Sequence, residues 1–199
     1  MKVIGITGGV GAGKTEILNL IDKMCSCIIL RADELARSLE MRGEECYEPL
    51  VSLLGDGVLA PDGQIDAKKM AQMIFTGDDE SLCEKVNAIV HPAVKRRILS
   101  MIEDAENEGV VDYFFIEAAL LIEDHYDTIV DELWYIYADE DIRRKRLKEH
   151  RQYSDEKITA IMDSQSSDEV FRQHCSVVID NSSSLDEARR QLERYLSGR

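Results

Sequence analysis

The segment that most constrains this chain is its opening, Met1 to Thr15, which reads MKVIGITGGVGAGKT. Apolar Val3, Ile4 and Ile6 give way to Gly8, Gly9, Gly11 and Gly13, and then to Lys14 and Thr15. The string matches G-x-x-x-x-G-K-[ST], with Gly8 and Gly13 as the fixed glycines. A buried strand ending in a loop whose N–H groups converge on an anion needs backbone conformations that glycine adopts cheaply. A helix starting near Gly13 adds its positive end to the same place. In that arrangement Lys14 reaches the β/γ-phosphates of a nucleotide and the Thr15 hydroxyl faces Mg²⁺. A glycine-rich turn without a ligand is the plainer alternative. Strand, loop and helix in register favour a nucleotide site built from Gly8, Gly9, Gly11, Ala12, Gly13, Lys14, Thr15 and Glu16.

Composition narrows the partners. The 199 residues are enough for one sizeable domain, or a core with modest insertions. A net charge of −15 argues against nucleic acid, whose phosphates require a basic footprint. It also means that an anionic substrate must be held by a local positive cluster. No apolar run approaches the length of a membrane span, and the opening residues read as a strand rather than a signal peptide. A cytoplasmic enzyme is the expectation, a monomer or alternatively an oligomer. Cys25, Cys27, Cys46, Cys83 and Cys175 lack zinc-site spacing and read as reduced packing residues.

After the first helix (Ile17, Leu18, Ile21, to about Met24) comes a short apolar run, Ser26 to Leu30, read as a second strand. It ends at Arg31-Ala32-Asp33. Carboxyl ends of strands in an open α/β sheet carry function, so Asp33 lies where a carboxylate could meet a substrate hydroxyl. A helix N-cap is the alternative role for Asp33. Residues 38–109 show no convincing strand and read as a helical insertion, in which His91-Pro92 should interrupt a long helix. Further strands are expected at Val110–Ile116, Leu133–Ala138 and Ser176–Ile179, and a last helix at Leu185–Leu196. Five strands alternating with helices imply a parallel sheet covered on both faces. Asp139 to Arg151 holds six of the 24 basic residues. Such a run is either solvated surface or a lid for polyphosphate; in an acidic chain the lid reading is favoured. Arg143, Arg146 and His150 share one helical face, and Arg144, Lys148 and Arg151 another.

Taken together, these residues resemble the bacterial dephospho-coenzyme A kinases almost end to end. The likeness runs through ITGGVGAGKT, Ala32-Asp33-Glu34-Leu35-Ala36-Arg37, Leu54-Gly55-Asp56 to Asp66, and Asn87-Ala88-Ile89-Val90-His91-Pro92. It continues through Leu120-Leu121-Ile122-Glu123, the basic segment, Gln165 and Val178-Ile179-Asp180-Asn181. The resemblance implies a P-loop NTPase three-layer core with a five-stranded parallel sheet (1–37 and 110–199), a helical acceptor-binding insertion (38–109) and a helical lid (about 140–165). It implies ATP and Mg²⁺, with dephospho-CoA phosphorylated on its ribose 3′-hydroxyl. Asp33 then matches the base, with Lys14 and Arg146 as its catalytic companions. Thr7, Arg37, His91 and Leu120 fall on the acceptor side, Asn181 beside the adenine, and Arg143, Arg146, His150 and Arg151 in the lid. This chain departs from the family at Arg31, where an acidic residue is usual, at Ala119, where proline is common, and at His150, where a second lid arginine is common. Arg151-Gln152 stands where the family commonly has Asp-Gly. The alternatives are another P-loop small-molecule kinase acting on a nucleoside, nucleotide or shikimate, or a nucleotide-binding regulatory relic. The strings D-x-x-G and N-K-x-D of a GTPase do not occur.

Overall fold

The computed structural model describes residues 1–76 and 81–196. Strand β1 (Lys2–Thr7) leads through the glycine loop into helix α1 (Lys14–Asp22), and β2 (Cys27–Arg31) follows. Four helices come next: α2 (Ala32–Leu39), α3 (Tyr47–Leu54), α4 (Ala67–Thr76) and α5 (Leu82–Glu108). Then β3 (Tyr113–Glu117) and β4 (Glu132–Tyr137) precede α6 (Glu140–Arg151), α7 (Asp155–Asp163) and α8 (Asp168–His174). The described chain closes with β5 (Val177–Asp180) and α9 (Leu185–Leu196).

Among the described residues the strands form one all-parallel five-stranded sheet in the order β2-β3-β1-β4-β5. Parallel strands need crossovers, and crossover helices cover both faces, so these strands are apolar on both sides. β1 is the centre: Ile4 pairs with Phe115 of β3 on one side and Glu132 of β4 on the other. Ile4, Ile6, Tyr113, Phe115, Trp134, Ile136, Val177 and Ile179 pack on one face against Ile17, Leu18 and Ile21 of α1 and Ala188 and Leu192 of α9. Phe114, Ile116, Leu133 and Tyr135 are buried on the other face, where the Tyr135 ring stacks on Phe171 of α8 at 4.7 Å. Each fully buried isoleucine contributes about 1.5–3 kcal/mol relative to exposure, which anchors the carboxyl end of β1 firmly.

The chain divides into two compact units, Met1–Leu30 with Ala105–Arg199, and Arg31–Asp104. The second unit is helical around buried Leu39, Cys46, Leu50, Val90, Val94 and Ile98. Within it Asp66 caps α4 by accepting from the N–H groups of Lys68 and Lys69, and Tyr47 Oη donates to the Gly63 carbonyl. The expected insertion 38–109 includes residues 77–80, which lie outside the described residues.

Two local expectations are corrected. His91-Pro92 does not interrupt the helix, because α5 runs unbroken through Pro92. Proline removes only the bond from its own N–H to the carbonyl of residue 88. The buried stripe of Val86, Val90, Ala93, Val94 and Ile98 holds the helix on either side of that gap. Asp33 is not an N-cap, since the cap position of α2 is Arg31 and Asp33 is the helix's second residue. The last helix matches the expected Leu185–Leu196, and the other expected strands differ by one residue, β3 excepted. β3 begins at Tyr113 rather than Val110, because the N–H groups of Asp112 and Tyr113 turn to the Ser26 carbonyl.

Candidate active site

The glycine loop spans residues 8–13 over the carboxyl end of the central strand, the place where open α/β sheets bind ligands. Two of its glycines are required sterically. Gly13, the N-cap of α1, has φ +88°, and a Cβ there would lie 2.4 Å from Asn181 Nδ2. A Cβ on Gly8 would lie 2.4 Å from the Ile136 carbonyl oxygen, a backbone atom that cannot step aside.

The loop's shape is dictated by what holds its carbonyls. Arg143 Nε donates to the Val10 oxygen at 2.9 Å, and Arg146 Nη1 donates to the oxygens of Gly11 at 3.4 Å and Ala12 at 3.3 Å. Asn181 Nδ2 also donates to the Ala12 oxygen, at 2.8 Å, while Arg146 Nη2 grips the Asn181 carbonyl at 2.8 Å. A trans peptide points its C=O and its N–H in opposite directions. Side chains drawing the carbonyls of residues 10 and 12 toward α6 and β5 therefore turn the N–H groups of Gly11 and Gly13 the other way. The Ala12 N–H is used differently, closing a turn onto the Gly9 oxygen at 3.1 Å. The result is a set of oriented amides at the start of a helix, which is an anion cradle.

Lys14 leads α1 and curls back, its Nζ donating to the Gly8 oxygen at 2.7 Å and lying 3.9 Å from Glu117 Oε1 at the end of β3. Thr15 and Glu16 are exposed on the first turn. Two buried oxygens flank the loop without a hydrogen-bond partner, Thr7 Oγ1 at the end of β1 and Asn181 Oδ1 after β5. The Asn181 side chain thus spends its donor on the loop, while its buried oxygen has no partner within the protein.

On α6 the structure brings Arg143 and Arg146 to the loop, with His150 and Arg151 exposed at the helix's far end. Arg151, with Lys157 lying over the Tyr153 ring at 3.8 Å, lowers that phenol's pKa. Arg144 is committed to Glu140 and Thr159, and Lys148 to Asp155. In the second unit Asp33 and Arg37 are exposed on α2, Arg31 lies 3.9 Å from Glu34, and His91 is half-buried on α5. Leu120 is exposed while its neighbour Leu121 is fully buried. Sequence reasoning missed the approach of Glu117 to Lys14. The signal was available, since Glu117 ends an apolar strand as Thr7 does, and Asp33 stands just beyond another.

A central parallel strand, a glycine cradle at a helix start and a lysine curled over it define the P-loop nucleoside-triphosphate-binding class. Comparison with known proteins is narrower. A family model described as dephospho-CoA kinase matches residues 2–187, and the chain belongs to that family. It is 32% identical over 194 residues to the dephospho-CoA kinase of Oceanobacillus iheyensis, covering 98% of this chain and 96% of that one. With the Geobacter sulfurreducens dephospho-CoA kinase it shares 31% over 199 residues, covering 100% and 99%. Among solved structures, a Thermus thermophilus protein superimposes with a TM-score of 0.82 at 26% identity, over 98% of this chain and 96% of that one. A Campylobacter jejuni dephospho-CoA kinase shares the fold with a TM-score of 0.73 at 20% identity, over 99% and 96%.

Proposed function

We infer that this protein transfers the γ-phosphoryl group of ATP to the ribose 3′-hydroxyl of dephospho-CoA, yielding coenzyme A and ADP. The observation that carries the reading is the intact cradle, with its carbonyls collared by Arg143, Arg146 and Asn181, in a chain that matches this kinase family over nearly its whole length. Phosphoryl transfer asks a protein for positioning and charge stabilisation more than for covalent chemistry. The residues of the loop and lid are suited to that. The amides of Gly11 and Gly13 and the Lys14 ammonium would hold the β- and γ-phosphates, and Asn181 would lie beside the base. Arg143 and Arg146 bring permanent positive charge to the loop of a protein with net charge −15.

Asp33 is the proposed base. Its carboxylate would take the proton of the 3′-hydroxyl as that oxygen bonds to the γ-phosphorus and the bond to the β,γ-bridging oxygen breaks. Thr7, Arg37, His91 and Leu120 are the proposed acceptor contacts, with the segment 38–109 as the acceptor-binding region and 140–165 as the lid. Among the described residues no cluster of three His, Cys, Asp or Glu could cage a metal, but the Thr15 hydroxyl and the Glu117 carboxylate are hard oxygen donors near the loop. They suit Mg²⁺, which is held by few protein ligands and arrives with a nucleotide. When bound, Mg²⁺ neutralises charge on the phosphate oxygens. Among the described residues no helix is long and apolar enough to cross a membrane. The proposed location is the cytoplasm and the proposed state a monomer, with an oligomer as the alternative.

The test is ADP release by the purified protein over a panel of acceptors: dephospho-CoA, shikimate, nucleosides and nucleoside monophosphates. Stimulation by dephospho-CoA alone is expected. Stimulation by another acceptor and not by dephospho-CoA overturns the assignment, and tight ATP binding without any acceptor-dependent ADP release marks a binding-only relic.

A further inference from the structure

Val10 sits at the apex of the glycine loop, and both of its main-chain polar groups are held by side chains from more than 130 residues away. Its N–H donates to Gln165 Oε1 at 2.9 Å, and its carbonyl accepts from Arg143 Nε at 2.9 Å. An N–H can only donate, so the Gln165 atom facing it is the amide oxygen. The same oxygen lies 3.4 Å from Arg143 Nη2, which links the two clamps to each other. The Arg143 guanidinium also lies across Gly9, where a Cβ would come within 2.6 Å of Cζ.

The Val10 N–H belongs to the peptide plane between residues 9 and 10, and its carbonyl to the plane between 10 and 11. Fixing both sets the direction of the Gly9 carbonyl, which closes the turn onto the Ala12 N–H, and of the Gly11 N–H, which faces away from Arg143. Left to itself, a run containing four glycines among six residues has wide freedom of φ and ψ, and ordering it on a ligand costs affinity.

Gln165 is itself placed by a short chain of contacts. It stands in the turn between α7 and α8, its N–H bonding to the Met162 carbonyl. The neighbouring Ser166 Oγ donates to Glu123 Oε1 at 2.7 Å, tying this turn to the segment after β3. Ser167 caps α8 through the Val170 N–H. The turn is thus anchored directly after Gln165, the residue that reaches the loop, through Ser166 and Ser167.

We propose that Gln165 is a positioning residue for the phosphate chain of the nucleotide, pre-forming the loop apex through Val10 and Arg143 without touching the ligand. This rests on the reading of the loop as the ATP site. The experiment is calorimetric titration of ATP and ADP into the wild-type protein, Gln165→Leu and Gln165→Glu, with KM for each substrate and a thermal melt of each variant. Leucine removes the acceptor at similar volume. Glutamate keeps an oxygen for the Val10 N–H and adds charge for Arg143.

Gln165→Leu should weaken both nucleotides and raise KM for ATP by about tenfold, the scale of one lost hydrogen bond that orders the backbone. KM for dephospho-CoA should stay within about twofold, and Gln165→Glu should recover nucleotide affinity to within about threefold of wild type. A wild-type protein that binds ATP while Gln165→Leu binds it equally well overturns the inference alone. So does a loss that falls equally on both substrates and follows the melting temperature, which is what a merely structural residue would produce. A wild-type protein that binds neither ATP nor ADP overturns the reading of the loop and the inference with it.

Discussion

Asp33 illustrates how a residue's role depends on what its side chain is spared from doing. Placed one residue into α2 behind an Arg31 cap and exposed, it adds negative charge to the helix's first turn and is not tied up as the cap. Replacement by asparagine keeps the shape and removes the proposed base, so turnover should fall at least about 100-fold while the unfolding midpoint stays nearly unchanged. Steady-state kinetics beside a melt decides it, and near-wild-type turnover excludes Asp33 as the base. Glu132 makes the complementary case for stability. Burial raises its pKa, but the hydrogen bonds from Lys2 at 2.6 Å and Trp134 Nε1 at 2.8 Å, with the Lys2 charge, outweigh burial and leave it below the ordinary 4.5. A carboxylate lowered on folding stabilises fully above its unfolded value, and that contribution is lost as pH falls through the folded value. Glu132→Gln should therefore cost about 1 kcal/mol at pH 7, discounted for the half-exposed lysine, and progressively less as pH falls below the ordinary carboxylate value and through the lowered folded one. Urea unfolding over a series of pH values from 7 downward reads this, and a cost that does not shrink as the pH falls refutes it. The loop residues were legible because G-x-x-x-x-G-K-[ST] concentrates its chemistry in eight consecutive positions. Asn181 and Gln165 were marked only by the family resemblance and Glu117 only by its place at a strand end; their contacts with the loop were not legible, because they depend on the order of the strands and the packing of a turn.

At the scale of elements, what the sequence disclosed followed burial. β1, β3 and β4 are buried on both faces, so each appears as an unbroken apolar run that no amphipathic pattern disguises. α5 shows where a local rule loses. Proline before an apolar continuation reads as a helix start, yet the buried stripe from Val86 to Ile102 spans the site and keeps 27 residues in one helix. That compromise is measurable. Proline in a helix interior costs about 3 kcal/mol relative to alanine, while its stiffness in the unfolded chain returns about 0.4–1 kcal/mol. The Pro92 ring is exposed, so its removal leaves no cavity. Pro92→Ala should raise stability by about 2 kcal/mol, seen as a higher urea midpoint with an unchanged slope. An unchanged or lower midpoint would mean that the missing hydrogen bond is already compensated, or that the ring contributes contacts of its own.

Over the whole molecule, charge and site pull in opposite directions. The protein carries −15 overall, while the loop that should receive a polyphosphate is collared by Arg143 and Arg146. These two fields act over different ranges. At about 0.01 M salt the screening length is about 30 Å, comparable with the molecule, so an approaching nucleotide feels the repulsive total. At about 0.15 M the length falls to about 8 Å, which screens the distant carboxylates but scarcely weakens contacts made at 3 Å within a partly dry site. A protein that binds phosphate through an extended basic surface loses affinity steeply as salt rises, because the attraction itself is screened. Here the balance reverses. KM for ATP at fixed Mg²⁺ should stay level or fall by about two- to threefold between 0.01 and 0.15 M salt, with the gain carried by a faster association rate. A KM that climbs several-fold over that range would show that long-range attraction, and not a pre-formed local cradle, brings the nucleotide in. Stopped-flow association at the two salt concentrations separates these outcomes, since a local cradle predicts a dissociation rate that hardly changes.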